Sequence, residues 1–354
     1  MRVNSARQWA DVSTAVALDA CLLDINRRGV RMDTSRVRVR LHVRLCSGDE
    51  ILLIVPIWQD RSTPYIVSDG ALFKGYERIA DVVAEDFDDA VLSYPRNAGR
   101  CLTLNTNSRS GCTGCVFCHY SLEVSEDPRI PAESAYLQAY VFGLLRRHGL
   151  RDLSGLSRVG LSTGCFAHEA AAIQHVVTLY DELKRAGFQG GFHLLSSVVR
   201  SRDGIATLAD RVPGFHLILT VECFENRSTL LKPTKASLSV GHAVQVLARC
   251  REANVGCDFT YIAGLDRLEA ALVGLRELNS YVTEFPKIQV FQPHASFMRN
   301  LDVSRVVPDA YYEELKASVE SDFRQTSFRP AHWQNYRSPW TLSFDDKMLP
   351  SPVI

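Results

Sequence analysis

The chain lacks a net charge: forty Lys and Arg residues balance forty Asp and Glu. No global field draws it to nucleic acid or to an anionic membrane, so a small-molecule substrate is the expected partner. It also lacks any run of about eighteen apolar residues, which excludes a membrane-spanning helix. The apolar stretch AVALDACLL near the N-terminus is broken by Asp19, and no small-residue cleavage site comes after it. It does not read as a signal peptide, and a cytoplasmic location is expected. Internal repeats and low-complexity segments are absent. The chain does have a globular composition, 46% hydrophobic and 23% charged over 354 residues, enough for one large domain or two ordinary ones. Ten cysteines in a reducing compartment point to metal binding or catalysis rather than to a disulfide framework.

Hydrophobic periodicity divides the chain. In RVRVRLHVRL (36–45), Val37, Val39, Leu41, Val43 and Leu45 alternate with Arg36, Arg38, Arg40, His42 and Arg44, the pattern of a half-buried strand with a solvated basic face. The turn signal Ser47-Gly48-Asp49 and the apolar run ILLIVPIW come next, predicting a hairpin. From Cys101 the pattern becomes strand and helix in alternation. Strands are expected at 102–105, 158–163, 191–197, 216–222, 258–264 and 287–292. Helices are expected at 131–149, 167–187, near 204–211, at 235–254 with Ser237 or Ser239 as cap, and at 267–282. Such alternation implies parallel strands with right-handed crossovers, hence an α/β fold that is either a barrel or a doubly wound sheet. One more helix is expected at 309–323. After it the aromatic and Arg-rich tail FRPAHWQNYRSPWTLSF either caps the barrel mouth or packs outside it. The resulting division is an N-terminal α+β domain (1–98), a central α/β domain (99–298) and a C-terminal extension (299–354).

The chemistry is concentrated in NTNSRSGCTGCVFCHYS. Cys112, Cys115 and Cys118 recur every three residues in a Gly/Ser-rich loop and can converge their thiolates on an iron–sulfur cube. No fourth cysteine stands nearby, which leaves one iron without a protein thiolate and open to a ligand. Other chemistries fit the same residues. Cys115-Val116-Phe117-Cys118-His119 matches the haem-attachment pattern, and the three cysteines with His119 form a possible zinc set.

The cysteine loop and the strand ends downstream of it resemble the radical S-adenosylmethionine (radical SAM) superfamily. The second half of that family's cysteine motif is matched by Cys115-Val116-Phe117-Cys118, with an aromatic before the last cysteine, while the first spacing is one residue short, C-x2-C rather than C-x3-C. Ser162-Thr163-Gly164-Cys165, with Glu169 shortly after, stands where the family has a glycine-rich turn at the end of its second strand. VGCDFTYIAGLD, ending in Gly264 before Leu265-Asp266, is similar to its fifth strand, and Val290-Phe291-Gln292-Pro293 to the end of its sixth. ENRSTLLKPTKAS resembles the loop after its fourth strand.

The resemblance implies a partial (βα)6 TIM-like barrel with its site at the carboxyl ends of the strands. It implies a [4Fe–4S] cluster on Cys112, Cys115 and Cys118, and S-adenosylmethionine chelated by the open iron. One-electron reduction by an external donor such as flavodoxin or ferredoxin would then cleave the sulfonium, releasing methionine and a 5′-deoxyadenosyl radical that abstracts hydrogen from the substrate. Ser162, Thr163, Gly164, Cys165, Ser197, Arg200, Glu222, Gly264, Phe291 and Gln292 are the implied cofactor contacts. Arg200 is suited to the methionyl carboxylate by bidentate pairing, Glu222 to ribose hydroxyls or the methionyl group, and His294 to substrate. Cys257 is the last cysteine, so no auxiliary clusters are expected. The residues before the loop do not look like a cobalamin-binding domain. A single-cluster enzyme in a biosynthetic tailoring pathway is the expectation, and an iron–sulfur electron-transfer or regulatory protein is the alternative.

Overall fold

The computed structural model describes residues 12–86, 93–106, 114–119 and 133–354. By packing they group into two compact units, one of residues up to 89 with 262–268 and 287–354, the other of 90–261 with 269–286.

The first unit begins with α1 (Val12–Arg28), followed by β1 (Val30–Arg31), β2 (Arg38–Leu45), β3 (Glu50–Trp58), β4 (Tyr65–Ser68), β5 (Ala71–Lys74) and β6 (Glu77–Asp86). These strands close into a small barrel in the order β1-β3-β2-β6-β5-β4. The expected hairpin forms, with Arg44 opposite Glu50 across the turn. Val39, Leu41 and Val43 of β2 enter one buried cluster with Ile51, Leu53 and Val55 of β3 and Ala15, Leu22 and Ile25 of α1. The last three lie on one face of the helix, at helical spacing. The basic face of β2 is neutralised locally, by Arg44 and His42 on Glu50 (2.7 and 2.9 Å) and Arg40 on Asp86 (3.5 Å).

The other unit holds β7 (Ser93–Arg96), β8 (Cys101–Leu104), α2 (Ser134–His148), β9 (Arg158–Leu161), α3 (Glu169–Arg185), β10 (Gly191–Ser196), α4 (Arg202–Arg211) and β11 (Phe215–Glu222). It continues through α5 (Arg227–Leu230), α6 (Pro233–Ala236), α7 (Val240–Glu252), β12 (Gly256–Ala263) and most of α8 (Leu268–Asn279). Strands β8 to β12 are parallel and neighbour one another in sequence order, with β7 antiparallel beside β8. A doubly wound sheet reverses its order at a switch point; here every crossover advances the same way, as in a barrel. The sheet is open rather than closed. Phe215–Val221 of β11 are buried without a break, which is why that segment reads as an uninterrupted apolar run. The expected helix over 235–254 is divided. Ser239 accepts the His242 N–H (3.2 Å) and starts α7, while Pro233 opens the short α6 before it.

The chain then returns to the first unit with β13 (Lys287–Val290), α9 (Pro308–Phe323) and the hairpin β14 (Ser343–Phe344) with β15 (Lys347–Met348). The aromatic tail, set apart as an extension in the sequence, groups here with the N-terminal residues. Its Leu342 joins the barrel's buried cluster. The tail also explains ILLIVPIW. Ile51, Leu53, Val55 and Ile57 belong to that cluster, whereas Leu52 donates its N–H to His332 (3.0 Å) and the Ile54 carbonyl accepts the Gln292 amide (2.7 Å). Those two bonds occupy the backbone edge of β3, and Leu52 and Ile54 are themselves buried, so both faces of the strand are covered.

Asp19 fastens the tail to α1. Its buried carboxylate accepts the N–H groups of Thr341, Leu342 and Ser343 and the Ser343 hydroxyl, at 2.7–3.1 Å. Replacing Asp19 by Ala strands three buried N–H groups and a hydroxyl, and a loss of about 3 kcal/mol is expected in denaturant unfolding.

Candidate functional site

Five segments of the second unit line one cavity of about 160 Å³ at the carboxyl ends of its parallel strands. From the loop after β8 comes Cys118; after β9 come Ser162, Thr163, Gly164, Cys165 and Phe166. The end of β10 supplies Ser196 and Ser197, β11 supplies Thr220 and Glu222, and α6 supplies Lys235. Carboxyl strand ends are where βα folds place ligands, because the loops there are free to vary over a rigid scaffold.

The cysteine segment is held from below. Val116 donates its N–H to the Leu230 carbonyl of α5 (3.1 Å), and the Cys118 N–H closes a turn on Cys115 O (3.1 Å). Gly114 has φ +96°, and a Cβ there would stand 3.1 Å from Lys232 Cβ. Cys115 is buried and Cys118 partly exposed. Cys112, assigned with them, lies outside the described residues. The strand-end residue Asn105 accepts the Thr163 hydroxyl (2.8 Å), and Thr106 pairs with His175 Nε2 of α3 (2.6 Å). The two ends of the cavity wall are thus tied to each other before the loop begins.

At the end of β11 the strand register slips between Thr220 and Glu222, and Glu222 adopts φ +72°, a conformation rare for a side chain of this size. The bulge is clamped by Arg227, whose guanidinium donates to the carbonyls of Val221, Cys223 and Lys235. The result aims the Glu222 carboxylate at the Lys235 ammonium, 2.6 Å away, with both side chains only 12–13% exposed. Burial works against the Lys235 charge, but Glu222 and the sulfurs of Cys165 and Cys115 outweigh it and hold its pKa above the ordinary lysine value. Thr220 Oγ1, also on this wall, is buried and has no hydrogen-bond partner among the described residues.

The structure brings together Cys118, Ser162, Thr163, Gly164, Cys165, Ser197 and Glu222 of the residues singled out in the sequence. Arg200 is not on the cavity wall. Its guanidinium is spent on the carbonyls of Ser197 and Thr234 and on Ser237 Oγ, so it braces the β10 loop against the segment that carries Lys235. Glu169 likewise accepts the N–H groups of Arg200 and Ser201 (2.6 and 2.8 Å), fixing the entry to α4. Gly264, Phe291, Gln292 and His294 belong to the first unit. There Gly264 (φ +107°) leaves room for Phe291 and Tyr312, and the Gln292 amide donates to Asn26 and Ile54. Lys235, Thr220 and Ser196 were missed. Lys235 lies inside the segment that resembled the loop after the fourth strand, yet nothing in its neighbours distinguishes it from a solvated lysine.

No protein-family model matches the chain, and no curated protein matches it. Among solved structures it is similar to HydG, a maturase of the [FeFe]-hydrogenase, at 16% identity and TM-score 0.43, covering 66% of this chain and 52% of that one. It is also similar to a radical SAM methyltransferase from Sphaerobacter thermophilus, at 15% identity and TM-score 0.38, covering 81% and 73%. The chain therefore spans about half the length of the maturase. At such identities and scores, the chemistry has to be argued from the residues of the cavity. Among the described residues no helix is long and apolar enough to cross a membrane.

Two outcomes test this geometry. Burial holds His175 down at about 4 from an ordinary 6.5. The stabilisation from keeping it neutral is complete above pH 6.5 and is lost as pH falls toward 4. Unfolding free energy should drop by about 3 kcal/mol over that interval, and His175→Gln should remove most of the drop. For the ion pair, Lys235→Met leaves a nearly buried carboxylate unpaired, at an expected cost of about 3 kcal/mol. The double variant with Glu222→Gln should lose clearly less than the sum of the two single variants in urea unfolding.

Proposed function

We propose that this chain is a radical SAM enzyme. In this reading Cys112, Cys115 and Cys118 hold a [4Fe–4S] cluster, and the enzyme cleaves S-adenosylmethionine reductively and abstracts hydrogen from a small-molecule substrate. The observation that carries the reading is the convergence of a cluster-loop cysteine, the Ser162–Cys165 turn, Ser197 and Glu222 on one cavity. The donor set fits the groups it would hold. Soft thiolates on a short glycine-containing turn suit iron and sulfide. The unpaired Thr220 hydroxyl calls for a polar ligand, since a buried hydroxyl without one costs free energy.

When bound, the cluster supplies one electron and S-adenosylmethionine the carbon radical; the protein's part is binding, orientation and exclusion of water. A cavity of about 160 Å³ is smaller than the roughly 300–1,000 Å³ usual for whole cofactors, so it suits the methionyl end. There Glu222 accepts hydrogen bonds from the methionyl amino group, while Lys235 holds the Glu222 carboxylate in place. Thr220 and Ser197 offer hydroxyls to the carboxylate. Arg200 contributes indirectly, by holding Ser197 and the Lys235 segment together.

A single-cluster enzyme of a biosynthetic tailoring pathway, reduced by an external donor of the flavodoxin or ferredoxin type, remains the preferred context. The test is anaerobic reconstitution. The wild-type chain should bind about four irons, and its reduced cluster should change its electron paramagnetic resonance signal and yield methionine and 5′-deoxyadenosine when S-adenosylmethionine is added. Cys118→Ala should lose most of the iron. A reconstituted cluster whose signal ignores S-adenosylmethionine would instead favour an electron-transfer or regulatory protein.

A further inference from the structure

The sequence supplies three cysteines in the loop and no fourth beside them. The fold supplies one: Cys165, from the turn after β9, lines the same cavity as Cys118. Cys165 and Cys115, from two different loops, both act electrostatically on the Lys235 ammonium. That ammonium already has a carboxylate partner in Glu222 at 2.6 Å. A nearly buried cation on the same cavity wall as Cys118 and Cys165 stands ready to offset further negative charge, of the kind an all-thiolate cluster carries. The orphan Thr220 hydroxyl on the same wall marks the cavity as one that takes a polar ligand.

We infer that Cys165 is an exchangeable fourth thiolate, which caps the remaining iron of the cluster at rest and is displaced when S-adenosylmethionine arrives. The inference rests on the proposed radical SAM reading and adds a residue to it. In the exchange the Cys165 sulfur–iron bond would break, and the amine and carboxylate of the methionyl group would both bind that iron, which gains one ligand in all. The proton lost by the methionyl ammonium goes to the departing thiolate, giving the Cys165 thiol; no electron is transferred. Capping keeps water and oxygen from the reactive iron until the cofactor is present.

Mössbauer spectra of the iron-57 reconstituted protein test this directly, independently of turnover. In the wild type without S-adenosylmethionine the four irons should look alike, and adding it should make one distinct. In Cys165→Ala that distinct iron should be visible before any addition. The inference is overturned if the wild type shows it at rest, or if the variant matches the wild type. Alkylation of the unmutated, cluster-loaded protein gives a second measurement. Iodoacetamide labelling of Cys165, read by peptide mass, should be absent at rest and appear with S-adenosylmethionine; labelling at rest overturns the inference. A wild-type chain that assembles no cluster sinks the underlying reading as well, whereas one that binds S-adenosylmethionine with Cys165 labelled throughout sinks only the cap.

Discussion

The ion pair between Glu222 and Lys235 is the constraint around which the cavity is arranged. Neither charge sits there without the other, because removing either leaves a nearly dehydrated ion. The pair also explains two local oddities. Strand β11 breaks register just before Glu222 and turns that residue to φ +72°, which re-aims the carboxylate out of the strand pattern; bulges commonly do this beside functional sites. Arg227 then collects three carbonyls from both sides of the bulge and from Lys235 itself. An expensive backbone conformation is thereby held by contacts made within a few residues.

The same segment links the cavity to the cysteine turn. Val116 hangs from Leu230, at the end of the short helix that Arg227 begins, and a Cβ at Gly114 would crowd Lys232 at 3.1 Å. The position of Cys118 is therefore set by the segment that sets Lys235. A change in how residues 227–236 pack would move a thiol and a cation together. This offers a physical reason for a segment of two short helices where a βα fold needs only a connection. Arg200 extends the coupling to β10 by bridging Ser197 to Thr234 and Ser237.

Much of this was legible in the sequence, for reasons that differ by element. The parallel strands announce themselves because they are buried on both faces, as in the unbroken burial of Phe215–Val221. Helix ends were readable where a specific chemistry marks them, such as Gly149 in the left-handed region after α2 and Ser239, whose hydroxyl accepts the His242 N–H at the start of α7. Choosing between a barrel-like and a doubly wound sheet needed the strand order, which no local pattern encodes. The covering of β3 by residues from the far end of the chain was invisible for the same reason. At the cavity, Ser162–Cys165, Ser197 and Glu222 were reached through the family resemblance, which points to strand ends, and all of them line it. Lys235 and Thr220 were not. A threonine within HLILTVE reads as core, and a lysine in a Pro-containing turn reads as solvated until the bulge buries it.

Arg200 and Glu169 carry the more general lesson. Both are charged and both lie beyond strand ends; the resemblance implies Arg200 as a cofactor contact and notes Glu169 shortly after the Ser162–Cys165 turn. In the structure each spends its charge on backbone instead: Glu169 on the N–H groups at the start of α4, Arg200 on carbonyls of two loops. Charge-assisted bonds to backbone are stronger than neutral ones, so a loop that must hold a fixed shape over a cavity competes for the same residue types as the ligand does. Position after a strand therefore selects residues that build the site as readily as residues that touch its contents. Facing the cavity separates the two groups. By that measure Cys118 and Cys165, which line it together with the Lys235 ammonium, make a stronger case for contact with a cofactor than either charged brace.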